Sequence, residues 1–188
     1  MKHFVKIHAA CGSLGGKQFM MVGDKGAGKT TLSTRLLFED AAIFGDEKVL
    51  VQGRKVMPFP RKFHLKEGTL PLIPQLGAIW NQRYSYPTAN GMRMCFFDPL
   101  DVGAKWKTEW GRVDAIFYLE PNHGRPTQIQ SCPTWMMAQK LILQATDFVI
   151  NPESQIAELC RMASESENFM MHIGELDRAA AIIEGILS

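Results

Sequence analysis

Gly23-Asp24-Lys25-Gly26-Ala27-Gly28-Lys29-Thr30-Thr31 is the stretch on which the reading of this chain turns. An apolar run, Phe19-Met20-Met21-Val22, precedes it, and a helical one, Leu32-Ser33-Thr34-Arg35-Leu36-Leu37-Phe38, follows. Strand, glycine loop and helix in that order are what a phosphate-binding P-loop requires. Glycines open φ values that other residues avoid, so successive backbone N–H groups can turn inward toward phosphate oxygens. The helix adds unpaired N–H groups and the positive end of its dipole. In such a loop Lys29 supplies a cation for the β- and γ-phosphates, and the Thr30 hydroxyl is placed to hold Mg2+. Gly23 to Thr31 are therefore expected to cradle a nucleotide. ATP is the expected donor; GTP has no Asn-Lys-x-Asp guanine motif in its favour.

Composition narrows the rest. The chain has 188 residues, 46% hydrophobic and 21% charged, the balance of an ordinary globular protein with one well-buried core. A net charge of +2 with scattered basic residues gives no case for a nucleic-acid partner. No apolar run approaches membrane-spanning length, so no membrane partner is expected. Met1-Lys2-His3-Phe4 lacks the apolar block of a secretory leader, which points to a cytoplasmic protein. Cys11, Cys95, Cys132 and Cys160 are far apart and form no C-x-x-C pair, as expected of reduced thiols. The eleven methionines read as core filler.

Outward from the loop, Phe4 to Ala10 reads as a strand. The glycine-rich Cys11 to Lys17 reads as a turn into the next strand, so a β-hairpin precedes the loop. After the loop helix, Ala41 to Gly45 is a short apolar strand closing on Asp46-Glu47. A parallel strand ending in carboxylates beside a P-loop is where a metal-binding or base carboxylate is wanted. Lys48 to Gln52 and Lys55 to Phe59 form a second hairpin, with Gly53-Arg54 as its turn and Pro58 and Pro60 at its end. Residues 64–92, broken by Pro71, Pro74 and Pro87, read as irregular with one or two short helices, the place for a substrate-facing loop. Met92 to Phe97 is a strand ending at Asp98-Pro99, and Val113 to Leu119 is a central strand with a turn-rich loop, Glu120 to Pro126, off its end. A helix over Trp135 to Thr146 would carry Trp135, Ala138, Leu141, Ile142 and Ala145 on its apolar stripe. A helix over Pro152 to Ser166 would do so with Ile156, Leu159, Cys160 and Ala163, begun by Asn151-Pro152. A strand at Phe169 to Ile173 and a helix at Glu175 to Leu187 complete the chain. The expected fold is α/β: a single P-loop domain over residues 1–188, with a mixed central sheet and flanking helices.

With these pieces placed, the sequence resembles the HPr kinase/phosphorylase catalytic domain and its small relatives, which share a nucleotide-binding core with PEP carboxykinase. The likeness is sharpest between His8 and Phe63. Gly-Asp-Lys-Gly-Ala-Gly-Lys-Thr-Thr-Leu-Ser at 23–33 stands between the two families' versions of the loop. Gly45-Asp46-Glu47 looks like the acidic pair both place after the loop helix, and His8 sits where the HPr kinases carry a histidine. Pro58-Phe59-Pro60-Arg61 through Leu65-Lys66-Glu67-Gly68 resembles a segment of small HPr-kinase-related proteins. The Glu-Ile-Arg-Gly-Leu-Gly signature of the HPr kinases is absent. The resemblance implies Asp46 as the base for the acceptor hydroxyl or as a metal contact, Glu47 as a metal partner, and His8 as a catalytic group. It also implies a homo-oligomer.

In-line phosphoryl transfer needs positioning, charge neutralisation at the γ-phosphate and a guide for the acceptor proton. Lys29 and the loop amides supply part of the first two, and Mg2+ between Thr30 and Asp46/Glu47 more. Arg61 is a candidate for charge on the transferred group or for acceptor binding, and Arg125 for a contact from the later loop. Asp98 is the rival to Asp46, in the position of a Walker B aspartate. His64, His123 and His172 have no metal-ligand spacing and read as structural or exposed. The expected activity is transfer of the γ-phosphoryl of Mg-ATP to a hydroxyl: serine of a small protein or peptide, or a small molecule. The competing expectations are a nucleotide-binding assembly module and a plain NTPase keyed on Asp98.

Overall fold

A computed structural model describes residues 4–53, 55–57, 59–104, 106, 110–146 and 151–188. In place of one strand from Phe4 to Ala10 there are two, β1 (Val5–Ile7) and β2 (Ala9–Leu14), parted by a bend at His8 and built into different sheets. Most of the expected glycine turn is therefore strand; only Gly15 and Gly16 turn the chain before β3 (Lys17–Val22). The hairpin before the loop is real, with β2 and β3 paired antiparallel from Ala9–Val22 to Leu14–Lys17. Helix α1 (Lys29–Leu37) follows, then β4 (Ala42–Gly45) and the antiparallel hairpin of β5 (Val49–Gln52) and β6 (Lys55–Met57). Arg54 and Pro58 of that hairpin lie outside the described residues.

The stretch read as irregular is more ordered than its prolines suggested. It holds β7 (Phe63–Lys66), the short helix α2 (Gly77–Gln82) and β8 (Tyr86–Pro87). β7 and β8 flank β9 (Arg93–Phe97) in a small antiparallel sheet. The later chain contributes β10 (Gly111–Arg112), β11 (Ala115–Pro121), β12 (Gln128–Ser131), α3 (Thr134–Gln144), β13 (Ala145–Thr146), α4 (Pro152–Ser164), β14 (Glu167–Ile173) and α5 (Leu176–Leu187).

The main sheet has the order β12-β14-β11-β3-β2-β4. Its centre is parallel, β14 with β11 and β11 with β3, and its flanks are antiparallel. Alternation along the central strands feeds two cores. Phe19, Met21, Phe117 and Leu119 face α1 and α5, while Met20, Val22, Ile116 and Tyr118 face α3 and α4. A second sheet, β10-β6-β5-β1-β13, adds Val5, Ile7, Val49, Val51 and Val56 to the latter core. The result is an α/β fold with mixed sheets and, among the described residues, five α-helices. None of these helices is long and apolar enough to cross a membrane.

Two apolar stripes hold at their centres, with Ile142 and Ala145 also packed against the core, and differ at their edges. Helix α3 buries Met137, Ala138 and Leu141 and leaves Trp135 exposed. Helix α4 buries Gln155, Leu159, Met162 and Ala163, while Ile156 and Cys160 face outward. The two helices pack on each other as well as on the sheet, and that contact selects the buried positions. Cys11, Cys95 and Cys132 are buried, and all four cysteines are free thiols.

Candidate active site

Strand direction brings the predicted residues to one end of the main sheet. β3 ends at Val22, so Gly23 opens the loop there. β2 runs the other way, so its start, beside His8, lies at the same end, with Ala9 opposite Val22. β4 is antiparallel to β2 and so runs in the direction of β3, which carries Asp46 to that end too. The expected parallel relation of β3 and β4 holds in direction, but β2 stands between them. A cleft of about 570 Å³ opens there, lined by His8, Lys25, Gly26, Gly28, Lys29, Thr30, Thr31, Asp46 and Glu47. Its far wall comes from β7 and the 88–94 segment, through His64, Lys66, Thr88, Asn90, Met92 and Met94.

The glycine loop owes its shape to two positions in particular. At Gly23, φ is +153° and a Cβ would stand 2.6 Å from the Leu119 carbonyl oxygen of the neighbouring strand. At Gly28, the N-cap of α1, φ is +94°, and no side chain caps the helix. The first-turn N–H groups of α1 are thus left without intrahelical or side-chain partners, and no acidic residue sits in that turn. Such a terminus can receive an anion. Lys29 is buried and its Nζ donates to the carbonyl oxygens of Gly23 (2.6 Å) and Asp24 (3.1 Å). Burial lowers its pKa, against the pull of Asp46, Asp24 and Glu47.

Asp46 is the most constrained acid of the cleft. It is 7% exposed, its Oδ1 has no hydrogen-bond partner, and its carboxylate accepts from the Thr30 side chain. Burial pushes its pKa up to about 6; the Thr30 bond and the charges of Lys29 and Arg61 oppose the rise, and Glu47 adds to it. Nearby, burial raises the pKa of the Cys11 thiol and Asp46 adds to the effect, so this core cysteine is inert. Glu47 takes φ +86°, a conformation costly for a residue with a Cβ, and pairs with Arg61 Nη1. Strain of that kind concentrates where geometry serves a function. Arg61 Nη2 also stands 3.4 Å from His64 Nε2. The His8 ring is pushed toward its neutral form by burial first and Lys29 second.

His64 is the residue that reasoning from spacing missed. It is half-buried, lines the cleft and packs edge-on against Phe96, with ring centroids 4.7 Å apart. The signal was available: Phe63 and Leu65 are core residues, so His64 and Lys66 must share the other face of β7. The other candidates lie elsewhere. Arg125 is exposed in the turn after β11, and His172 pairs with Glu120 at 3.3 Å. His123 is exposed in the same turn as Arg125.

Asp98 does not line the cleft. Its side chain caps the 3-10 turn Pro99–Val102, accepting from Leu100 N (3.0 Å) and from Trp106 Nε1 (3.1 Å), and Asp101 returns a bond to the Asp98 N–H. Asp98→Ala is expected to cost about 1–2 kcal/mol of stability, as lost caps do, and to leave nucleotide affinity unchanged. Thermal unfolding with calorimetric titration of ATP checks both; loss of ATP binding in a folded variant returns Asp98 to the site.

Among the described residues no group of three His, Cys, Asp or Glu side chains gathers as a metal cage. No family model matches the chain, and no curated protein matches its sequence. Among solved structures, the HPr(Ser) kinase/phosphatase from Coxiella burnetii is similar, with 11% identity and a TM-score of 0.50 over 97% of this chain and 87% of that one. At that identity the likeness speaks for the fold, an HPr kinase-like arrangement of α/β elements.

Proposed function

We propose that this chain, acting as one domain, is an ATP-dependent phosphotransferase. It moves the γ-phosphoryl of Mg-ATP to a hydroxyl, either serine of a small protein or peptide or a small molecule. The observation that carries the reading is the Asp46 carboxylate, buried with one free oxygen in the same cleft as Lys29 and the open end of α1. Burying an acid without a full set of partners is costly, and such groups cluster where chemistry needs them.

The chain's own residues divide the work. Gly23 to Thr31 hold the phosphates through backbone N–H groups, and Lys29 leaves its loop carbonyls to meet the β- and γ-oxygens. Thr30, Asp46 and Glu47 offer a hydroxyl and two carboxylates. That set suits Mg2+ arriving with the nucleotide, since Mg2+ is commonly held by one or two carboxylates together with phosphates and water. Bound there, the ion supplies neutralisation of phosphate charge. Asp46, ionised, takes the acceptor's proton through its free oxygen. Arg61 orients Glu47, and His64 and Lys66 face the acceptor side.

The test is incubation of the purified chain with γ-labelled ATP and fractionated extract or small hydroxyl metabolites. Label on a defined acceptor is the expected result. ATP-dependent assembly without transfer supports the regulatory module instead, and steady phosphate release without an acceptor supports a simple NTPase.

A further inference from the structure

The β1–β13 ladder pairs Ile7 with Ala145 and Lys6 with Thr146. Continued by one step, it sets Gln144 opposite His8, and the His8 N–H donates to the Gln144 carbonyl oxygen at 2.9 Å. Opposite positions of a ladder turn their side chains to the same face, and the Gln144 side chain acts on the His8 ring as a hydrogen-bond partner that favours its protonated form. Gln144 Nε2, in turn, donates to Asp24 Oδ1 in the glycine loop at 2.8 Å. Ionised Asp24 can only accept, so the amide nitrogen of Gln144 must face it. That leaves the amide oxygen for His8, and an oxygen can only accept. The imidazole must then present an N–H to Gln144, and a neutral ring carries only one.

We propose that Gln144 is a positioning residue: it holds His8 as the single tautomer protonated toward Gln144, leaves the other ring nitrogen as an acceptor, and ties that choice to the glycine loop through Asp24. Besides Gln144, the charged groups acting on His8 are Lys29, Asp24 and Glu47. His8 lines the cleft, so its free ring nitrogen can accept a hydrogen bond from a hydroxyl, water or loop N–H there. The proposal deepens the phosphotransfer reading by giving His8 a defined protonation. It rests on that reading only for the use His8 is put to, because the tautomer exists without nucleotide.

The experiment is imidazole nitrogen–proton correlation NMR on the 15N-histidine-labelled full chain at neutral pH, without nucleotide, the His8 signal being assigned by its loss in His8→Asn. In the wild type one tautomer is expected. In Gln144→Met, similar in length and unable to bond either partner, His8 is expected to populate both tautomers, and exchange of the Ala27 amide, which donates to the Asp24 carbonyl oxygen at 3.0 Å, is expected to quicken at least tenfold. Gln144→Glu keeps an acceptor for His8 but repels Asp24. It should therefore retain the tautomer while losing the loop protection. The His172 signal, from a ring on β14 beside Glu120, reports that each variant is folded. An unchanged His8 tautomer in folded Gln144→Met overturns the proposal, as does a two-tautomer mixture in the wild type. Neither result bears on whether ATP is a donor.

Discussion

Lys29→Ala is expected to abolish phosphoryl transfer and to weaken ATP binding roughly a hundredfold, on the order of 3 kcal/mol, the worth of one or two charge-assisted hydrogen bonds. The size follows from where the amine sits. Lys29 is 6% exposed and its Nζ is already held at the mouth of the glycine loop by two carbonyl oxygens. A nucleotide therefore meets a cation whose position is set and whose desolvation was incurred on folding. Catalysis should suffer more than binding, because charge at the transferring group grows in the transition state and the amine is fixed in a site of restricted water. Removing the amine also strips the Gly23 carbonyl of its donor and leaves the Asp24 carbonyl with the Ala27 N–H alone, so the loop should loosen in the free protein. Titration calorimetry with ATP and labelled transfer measure the two losses; near-normal affinity in a folded Lys29→Ala protein would remove the loop from the proposed nucleotide site.

The local pieces of this site were legible in residue patterns, and that His8, the loop and Asp46 meet was expected from the resemblance and from strand order rather than from any local pattern. A glycine loop between an apolar strand and an amphipathic helix announces itself within a dozen residues, because φ preference and periodicity act locally. That His8, Gly23 and Asp46 share one end of a sheet depends on β2 lying between β3 and β4, which no local pattern encodes. The same holds for Gln144. Its place opposite His8 comes from the β1–β13 pairing, and two two- or three-residue strands carry too little alternation to be read. His64 was hidden by a different cause. The prolines on either side suggested irregular chain, although Phe63-His64-Leu65-Lys66 alternates as a half-buried strand does. On α3 and α4 the helical period and most of the expected face were right, with Ala138, Leu141, Leu159 and Ala163 buried; the edge of the stripe was not, since Trp135, Ile156 and Cys160 are exposed and Met137 and Met162 are buried instead.

Asp46→Asn separates chemistry from binding. Asparagine keeps the shape of the side chain and can still bond Thr30, so the loop, Lys29 and the end of α1 should hold ATP about as well as before. What is lost is a group that can take a proton, and transfer is expected to fall by about two to four orders of magnitude, the usual worth of a positioned base. The wild-type kcat/KM, which reports the free protein, should rise with pH along an acid limb centred near 6, because Asp46 must be ionised to act and burial has raised it to about 6. The variant should lack that limb. Stability carries an opposite signature. The folded state favours protonated Asp46, so the stabilising contribution of that form is whole below the ordinary carboxylate value of 3.8 and is lost as pH rises through about 6. At neutral pH the wild type therefore keeps a buried charge at a cost of about 3 kcal/mol that Asp46→Asn escapes. The variant should unfold at higher temperature than the wild type at pH 7.5 and at the same temperature near pH 3.5. An inactive yet more stable protein with intact ATP binding is the expected outcome. Normal turnover in Asp46→Asn would falsify its role as the base, while lower stability at pH 7.5 would show that its ionised form is held by partners beyond Thr30, Lys29 and Arg61.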